Sequence, residues 1–177
     1  MEDHITKKHS SKTKLLIITV CLIIVLAGAA LAFSKLTKKT PVISPFIKSQ
    51  LSSPIFLPSQ KDFTVEPNSV TFDVREKLLT FTAVSIKDQT RLVITQQPTP
   101  DTFTDIPQYY DKLVEAMGQY KQFDSLNGKV TLTKPTELKG GQTAVLNQNG
   151  TLMFVRPNKD LNDDDWRRFF NSLILQK

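Results

Sequence analysis

The sequence predicts an α+β domain: an antiparallel sheet with two packed amphipathic helices in the order β-β-β-α-β-β-β-α, preceded by one transmembrane helix. Three observations support it. Apolar residues alternate in short runs between polar turns, over 70–74, 79–83 and 92–94 and again in GKVTLTK, QTAVLNQ and TLMFVRP. Two other stretches, around 106–117 and 163–175, repeat their apolar residues at helical spacing. Nineteen consecutive uncharged residues, Leu15 to Phe33, come before all of them.

The uncharged run, LLIITVCLIIVLAGAALAF, reaches roughly 28 Å as a helix, close to the bilayer's hydrocarbon thickness of about 30 Å. Two fates fit it. Ala27-Gly28-Ala29 and Ala30-Leu31-Ala32 are A-x-A triplets of the kind that signal peptidases cut. Against cleavage, apolar character continues through Phe33 and the basic cluster Lys35, Lys38 and Lys39 follows at once, as at a stop-transfer boundary. A retained anchor is the expectation. Cys21 follows Val20 where a lipid-attachment motif needs a small residue, so lipidation is rejected. Lys7, Lys8, Lys12 and Lys14 precede the span, and a short basic tail is retained more readily than a long domain. The N-terminus is expected inside and the C-terminal domain outside the cytoplasmic membrane.

The predicted organisation is a basic tail at 1–14, the span at 15–33, a basic juxtamembrane segment with a Pro/Ser-rich stalk at 34–53, and the domain at 54–177. TPVISPFIKSQLSSPIFLPSQ, residues 40–60, holds four prolines and five serines with no helical period, so it reads as an extended stalk. Its end, Pro54 to Pro58, is apolar enough to lie on the domain as an edge segment. Val70, Phe72 and Val74 share one face of a strand; Leu79, Phe81 and Ala83 share another, and Leu92 and Ile94 a third. Ile106, Tyr109, Tyr110, Leu113, Val114 and Met117 then make a helical stripe, with Thr104 or Asp105 as cap, Pro107 in the first turn and Gly118 at the end. A three-strand meander follows, turned by Lys139-Gly140-Gly141 and by Asn149-Gly150, a type I′ hairpin signal. The last predicted element is DDDWRRFFNSLIL, with Trp166, Phe169, Phe170, Leu173 and Ile174 on one face.

Charge restricts the partners. Of 23 basic and 17 acidic residues, seven lysines and only Glu2 and Asp3 lie before residue 41, so residues 41–177 hold 16 basic and 15 acidic side chains. The pI of about 9.4 therefore belongs to the membrane flanks. Lysines beside an apolar span meet anionic headgroups, at about 1 kcal/mol each. The lipid bilayer, through residues 15–33, is an expected partner and nucleic acid is not. The only cysteine is Cys21 and both histidines, His4 and His9, precede the span. Beyond the span there is no imidazole or thiol, hence no disulfide and no thiolate metal site.

The segments SPIFLPSQKDFTVEPNSVTFD, LLTFTAVSIKDQTRLVITQQPTP and LKGGQTAVLNQNGTLMFVRP and the final FFNSLIL resemble small bacterial domains of unknown function. Those domains stand outside the membrane behind a single N-terminal anchor, and some relatives occur with anti-sigma-factor regions. The resemblance covers most of residues 54–175 and brings structural signatures only; it implies no catalytic residue.

Candidate chemistry is sparse. Asp160, Asn162 and Asp164 alternate like the start of a calcium loop, but Asp165 stands where glycine is needed and Asn171 where glutamate is. Capping of the last helix by Asn162 or Asp163 explains the same residues. Ser85 with Lys87, or Ser125 with Lys129, could pair for nucleophilic catalysis, though no S-x-x-K stands at a helix start. Glu115, Asp124 and Glu137 are too scattered to form a glycosidase pair. Asn149-Gly150-Thr151 matches a glycosylation acceptor, and the hairpin explains it equally. Tyr109, Tyr110, Tyr120 and Phe123 form a local aromatic cluster, either core packing or a contact patch for a protein or cell-envelope ligand. No catalytic, metal or cofactor residues are expected. Two functions remain open: a membrane-anchored, non-enzymatic ligand- or partner-binding domain, or an exported enzyme or hydrophobic-ligand carrier with a pocket between sheet and helices.

Overall fold

The computed structural model describes residues 42–134 and 141–176. The apolar run 15–33, its lysine flanks, the 1–14 tail and the Lys139-Gly140 part of the predicted turn lie outside the described residues. Among the described residues, no helix is long and apolar enough to cross a membrane.

The domain is α+β and its strands pair antiparallel. Helix α1 (Pro45–Gln50) leads into β1 (Ile55–Pro58), β2 (Phe63–Val65), β3 (Thr71–Asp73), β4 (Leu78–Ser85) and β5 (Arg91–Pro98). Helices α2 (Asp101–Asp105) and α3 (Gln108–Ala116) follow, then β6 (Gln119–Ser125), β7 (Gly128–Thr133), β8 (Thr143–Gln148) and β9 (Thr151–Pro157). Helix α4 (Asp163–Asn171) and β10 (Leu173–Gln176) close the fold. The main sheet runs β2-β4-β5-β9-β8-β7-β6, with β3 beside β2 on the same edge of β4, while β1 and β10 form a separate ribbon.

Register separates the two faces of the sheet. One transverse row reads Phe81, Ile94, Val155, Ala144 and Leu132 from β4 to β7, and all five are fully buried. The neighbouring row, on the opposite face, reads Thr80, Thr95, Phe154, Val145, Thr131 and Gln122. The first face holds the main core, into which α4 sets Trp166, Phe169 and Phe170, each at 0% exposure. These rings continue a set of edge-on contacts, Phe63 to Phe169 at 5.3 Å, Phe169 to Phe170 at 5.2 Å and Phe123 to Phe170 at 6.0 Å. The second face holds a smaller cluster, Val114 of α3 on Val145 and Leu152.

Several expectations are corrected. Residues 42–53, expected as extended stalk, fold onto the domain. Ile43 is 1% exposed in the main core, and α1 starts with Ser44 capping the Ile47 amide and Pro45 at its first position. Six residues are too few to display a period, but Ser-Pro is a helix-start signal. The expected helix at 106–117 is found as α3, Gln108–Ala116, beginning after Pro107, and a separate short helix, α2 at Asp101–Asp105, lies where only its cap was expected. QYKQFDS forms strand β6, which was not foreseen because only Phe123 in it is buried. The terminal helix stops at Asn171, and Leu173 and Ile174 belong to β10, paired with Pro58 and Leu57. Their spacing from Trp166 fits a helical stripe, yet pairing with β1 satisfies a second run of backbone groups. The hairpin signal agrees with the structure: Asn149 and Gly150 both have positive φ, 55° and 75°, and Gln148 pairs Thr151.

Helix α4 completes the core, so its aromatics bear much of the domain's stability. Trp166→Ala and Phe169→Ala should each cost about 3–5 kcal/mol, read as a sharp fall in melting temperature of the full chain in detergent. A shift of only a few degrees would make α4 peripheral.

Candidate functional site

The two faces are covered unequally, for a reason of dimensions. Seven strands spaced about 4.8 Å apart span about 29 Å, whereas a nine-residue helix is about 14 Å long. On the main-core face α4 is supplemented by the β1–β10 ribbon and α1, which complete the cover. On the other face, α3 packs over the β9-β8-β7-β6 half of the sheet, with Val114, Tyr110 and Met117 in its cluster and Phe103 of α2 just ahead of it. The β4–β5 side keeps its outward side chains in view, and Val93 is 44% exposed.

An open groove of about 330 Å³ lies along that boundary. Its floor is made by Val93 and Thr95 of β5 with Phe154 of β9, and Met117 and Thr143 form its wall. Arg156 stands at the rim, directly opposite Val93 in the β5–β9 register, and Phe154 stands opposite Thr95. Thr95 Oγ1 is 3.3 Å from Thr80 Oγ1. The Arg156 side chain has no ion pair among the described residues. Two residues before Val93 on the same face, Arg91 is already held by Glu66 at 2.6 Å. An apolar floor with a guanidinium at one end is suited to holding a molecule, and no nucleophile with an adjacent base lines it.

A second polar cluster lies where α4 meets the β4–β5 turn. The space there is only about 10 Å³, among Ser85, Asp88, Thr90, Asp165 and Arg168. Ser85 Oγ and Arg168 Nε are buried there without a hydrogen-bond partner. The Asp88 carboxyl is held well below the usual carboxylate range by the Ser85 hydroxyl beside it, the Thr90 hydroxyl and Lys159, against the opposing effect of burial. The Ser85 hydroxyl lies beside the carboxylate without meeting hydrogen-bond geometry. Thr90 Oγ1 does donate to Asp88 Oδ2, and Lys159 Nζ donates to the same oxygen at 3.2 Å.

The four aromatic residues singled out from the sequence do not share one surface. Tyr109 is 44% exposed on α3, with Lys112 Nζ 5.6 Å from its ring centre. Tyr110 is half-buried against Phe103 at 6.0 Å, and burial pushes its phenol pKa up. Tyr120 is half-exposed on the edge strand β6, where its oxygen accepts from Gln142 Nε2 at 3.0 Å and desolvation raises its pKa. Phe123, 7% exposed, belongs to the main core on the opposite face from Tyr110. Asn162 caps α4, accepting from the Asp165 amide at 2.9 Å, and Asp160 binds Lys134 at 2.6 Å and the Gln142 amide at 3.2 Å. That pairing lowers the Asp160 pKa and raises that of Lys134. Ser125 Oγ donates to the Gly128 carbonyl inside the β6–β7 turn. Among the described residues of the calcium and serine candidates, these contacts are structural. The groove residues went unnoticed because no motif links Val93 to Phe154 and Arg156; only strand register brings them together.

Compared with family models, with curated proteins and with solved structures, the chain finds no match.

The Asp88 site yields a pH test. A carboxyl whose folded pKa is depressed adds stability that is complete above its ordinary pKa of about 4 and lost as pH falls toward the folded value. Asp88→Asn should lower the melting temperature at neutral pH, and its curve should converge on the wild type's only below about pH 4. A gap that is the same at every pH would assign the loss to packing instead of charge.

Proposed function

We propose that this chain is a single-pass membrane protein that presents a non-enzymatic ligand- or partner-binding domain outside the cytoplasmic membrane. The observation that supports the binding role is the open groove on the uncovered sheet face, with its apolar floor and the guanidinium of Arg156 at the rim. The alternative, an exported enzyme or hydrophobic-ligand carrier with a pocket between sheet and helices, draws less support on the α4 side of the sheet. Where α4 meets the β4–β5 turn the space is about 10 Å³, the scale of one water molecule. The anchoring role rests on Leu15 to Phe33 and on the lysines on both sides of it. The resemblance to anchored extracytoplasmic domains points the same way, and the near balance of charge over residues 41–177 favours a partner other than nucleic acid.

Topology and retention are tested together. Protease added to intact cells, with any outer wall opened, should digest the C-terminal domain and spare a tag at Met1. The protein should also sediment with membranes at full mass and resist high-salt extraction. A soluble product beginning at Ala30 or Phe33 would establish cleavage at an A-x-A triplet. Protection of the domain would reverse the orientation.

A further inference from the structure

We propose that the groove beside α3 takes a small amphipathic carboxylate: a short apolar or aromatic body lying on Phe154 and Val93, with its anionic head on Arg156. This deepens the ligand-binding reading and rests on it.

Size, floor and charge each narrow the occupant. At about 330 Å³ the groove is at the lower end of small-ligand sites, which run to about 1,000 Å³. It is too confined for a folded partner's surface and fits a compact molecule. Phe154, Val93 and Met117 present ring, branched and thioether surface, which favours an apolar or aromatic body. The head is selected by Arg156. Exposed, and with no ion pair among the described residues, it has its planar fork of donors available for a carboxylate, which it matches two bonds at a time. Its neighbour Arg91 cannot serve equally, because Glu66 already occupies it at 2.6 Å. Phe154 and Arg156 are two residues apart on one strand, so their Cα atoms are separated by about 7 Å. A ring placed on Phe154 thus leaves a carboxylate a few bonds away within reach of the guanidinium. The Thr95 hydroxyl, 3.3 Å from that of Thr80, lines the same groove opposite Phe154 as a further polar group.

The test uses 4-phenylbutyrate and its uncharged amide as probes on the full chain in phosphatidylcholine nanodiscs, read by methyl NMR of methionine. The chain has three methionines. Met117 lines the groove, whereas Met153 is fully buried on the other face and reports on the fold. The carboxylate should shift Met117 saturably and leave Met153 unmoved. Arg156→Gln should weaken the carboxylate about tenfold or more, the loss expected for a charge-assisted contact. The amide should bind wild type and variant alike, as weakly as the acid binds the variant. An unchanged Met153 signal in Arg156→Gln certifies that the variant is folded. Equal binding of acid and amide by the wild type, an unweakened Arg156→Gln, or a Met117 signal that never moves would each overturn the proposal. Nanodiscs expose both sides of the bilayer, so the result does not depend on orientation. A reversed topology in cells would leave this assay intact, and a failure here would remove the ligand class while leaving the anchored reading to its own test.

Discussion

A single buried amide decides how the first and last segments of this domain are held. Phe56 sits in the middle of β1 with 0% exposure, and its backbone N–H donates to Gln96 Oε1 at 2.9 Å while its carbonyl accepts from Gln96 Nε2 at 2.6 Å. Antiparallel strands bond only at alternate residues. Gln96 therefore stands in for a neighbouring strand at the one place where the ribbon lies over the sheet. Gln96 is itself 2% exposed on central strand β5, so neither partner has water to turn to. Around this pair, Thr151 Oγ1 donates to the Pro54 carbonyl at 2.7 Å and the Ser59 amide to the Ser172 carbonyl at 2.8 Å. The far end is held by Asn127, whose amide donates to the carbonyls of Phe170 and Leu173 at 2.8 and 3.1 Å. Strand β1 and its flanks are thus joined to β5, β9 and β10, and the aromatic core closes beside them.

That closure explains why the two faces differ. The ribbon, α1 and α4 lie on one side, where together they cover Phe81, Ile94 and Leu132. The other side has only the nine-residue α3, which starts after Pro107, and Phe103 of the short α2. The same sheet thereby has one sealed face and one partly open face, and the groove is the consequence. The sheet's edges offer less. Strand β6 carries an irregularity between Gln119 and Lys121 and a charged side chain at Lys121, and β2 and β3 are three residues each, divided by a turn of 3₁₀ helix at Pro67–Ser69. Short, bulged and charged edges discourage strand addition, which leaves the groove as the more suitable surface for recognition.

How legible this was in the sequence depended on how one-sided each element is. Strand β4 alternates half-buried and buried residues along its whole length, and α4 places three aromatics on one stripe behind a capping Asn162, so both were readable. Strand β6 buries one side chain and loses its alternation at the edge. Strand β10 continues the apolar spacing of α4, and only its pairing with β1, more than a hundred residues away in sequence, makes it a strand. The tetrad Tyr109, Tyr110, Tyr120 and Phe123 looked like a cluster because its members are close in sequence, yet an intervening turn and a change of face separate them. Gln96 offered no signal at all: a glutamine in QQP reads as an exposed strand end until the register turns it inward.

The most direct measurement of the account is native-state hydrogen exchange at the Phe56 amide in the wild type and in Gln96→Leu. Replacing the amide by an apolar side chain of similar size leaves a buried N–H and C=O without partners, each costing about 1–3 kcal/mol. In the wild type, Phe56 should exchange as slowly as the central residues of β5 and β9. In Gln96→Leu its protection should fall by at least about tenfold, with β10 following because it pairs with β1. A Phe56 amide that is unprotected in the wild type, or equally protected in the variant, would contradict the claim that Gln96 holds the ribbon to the sheet.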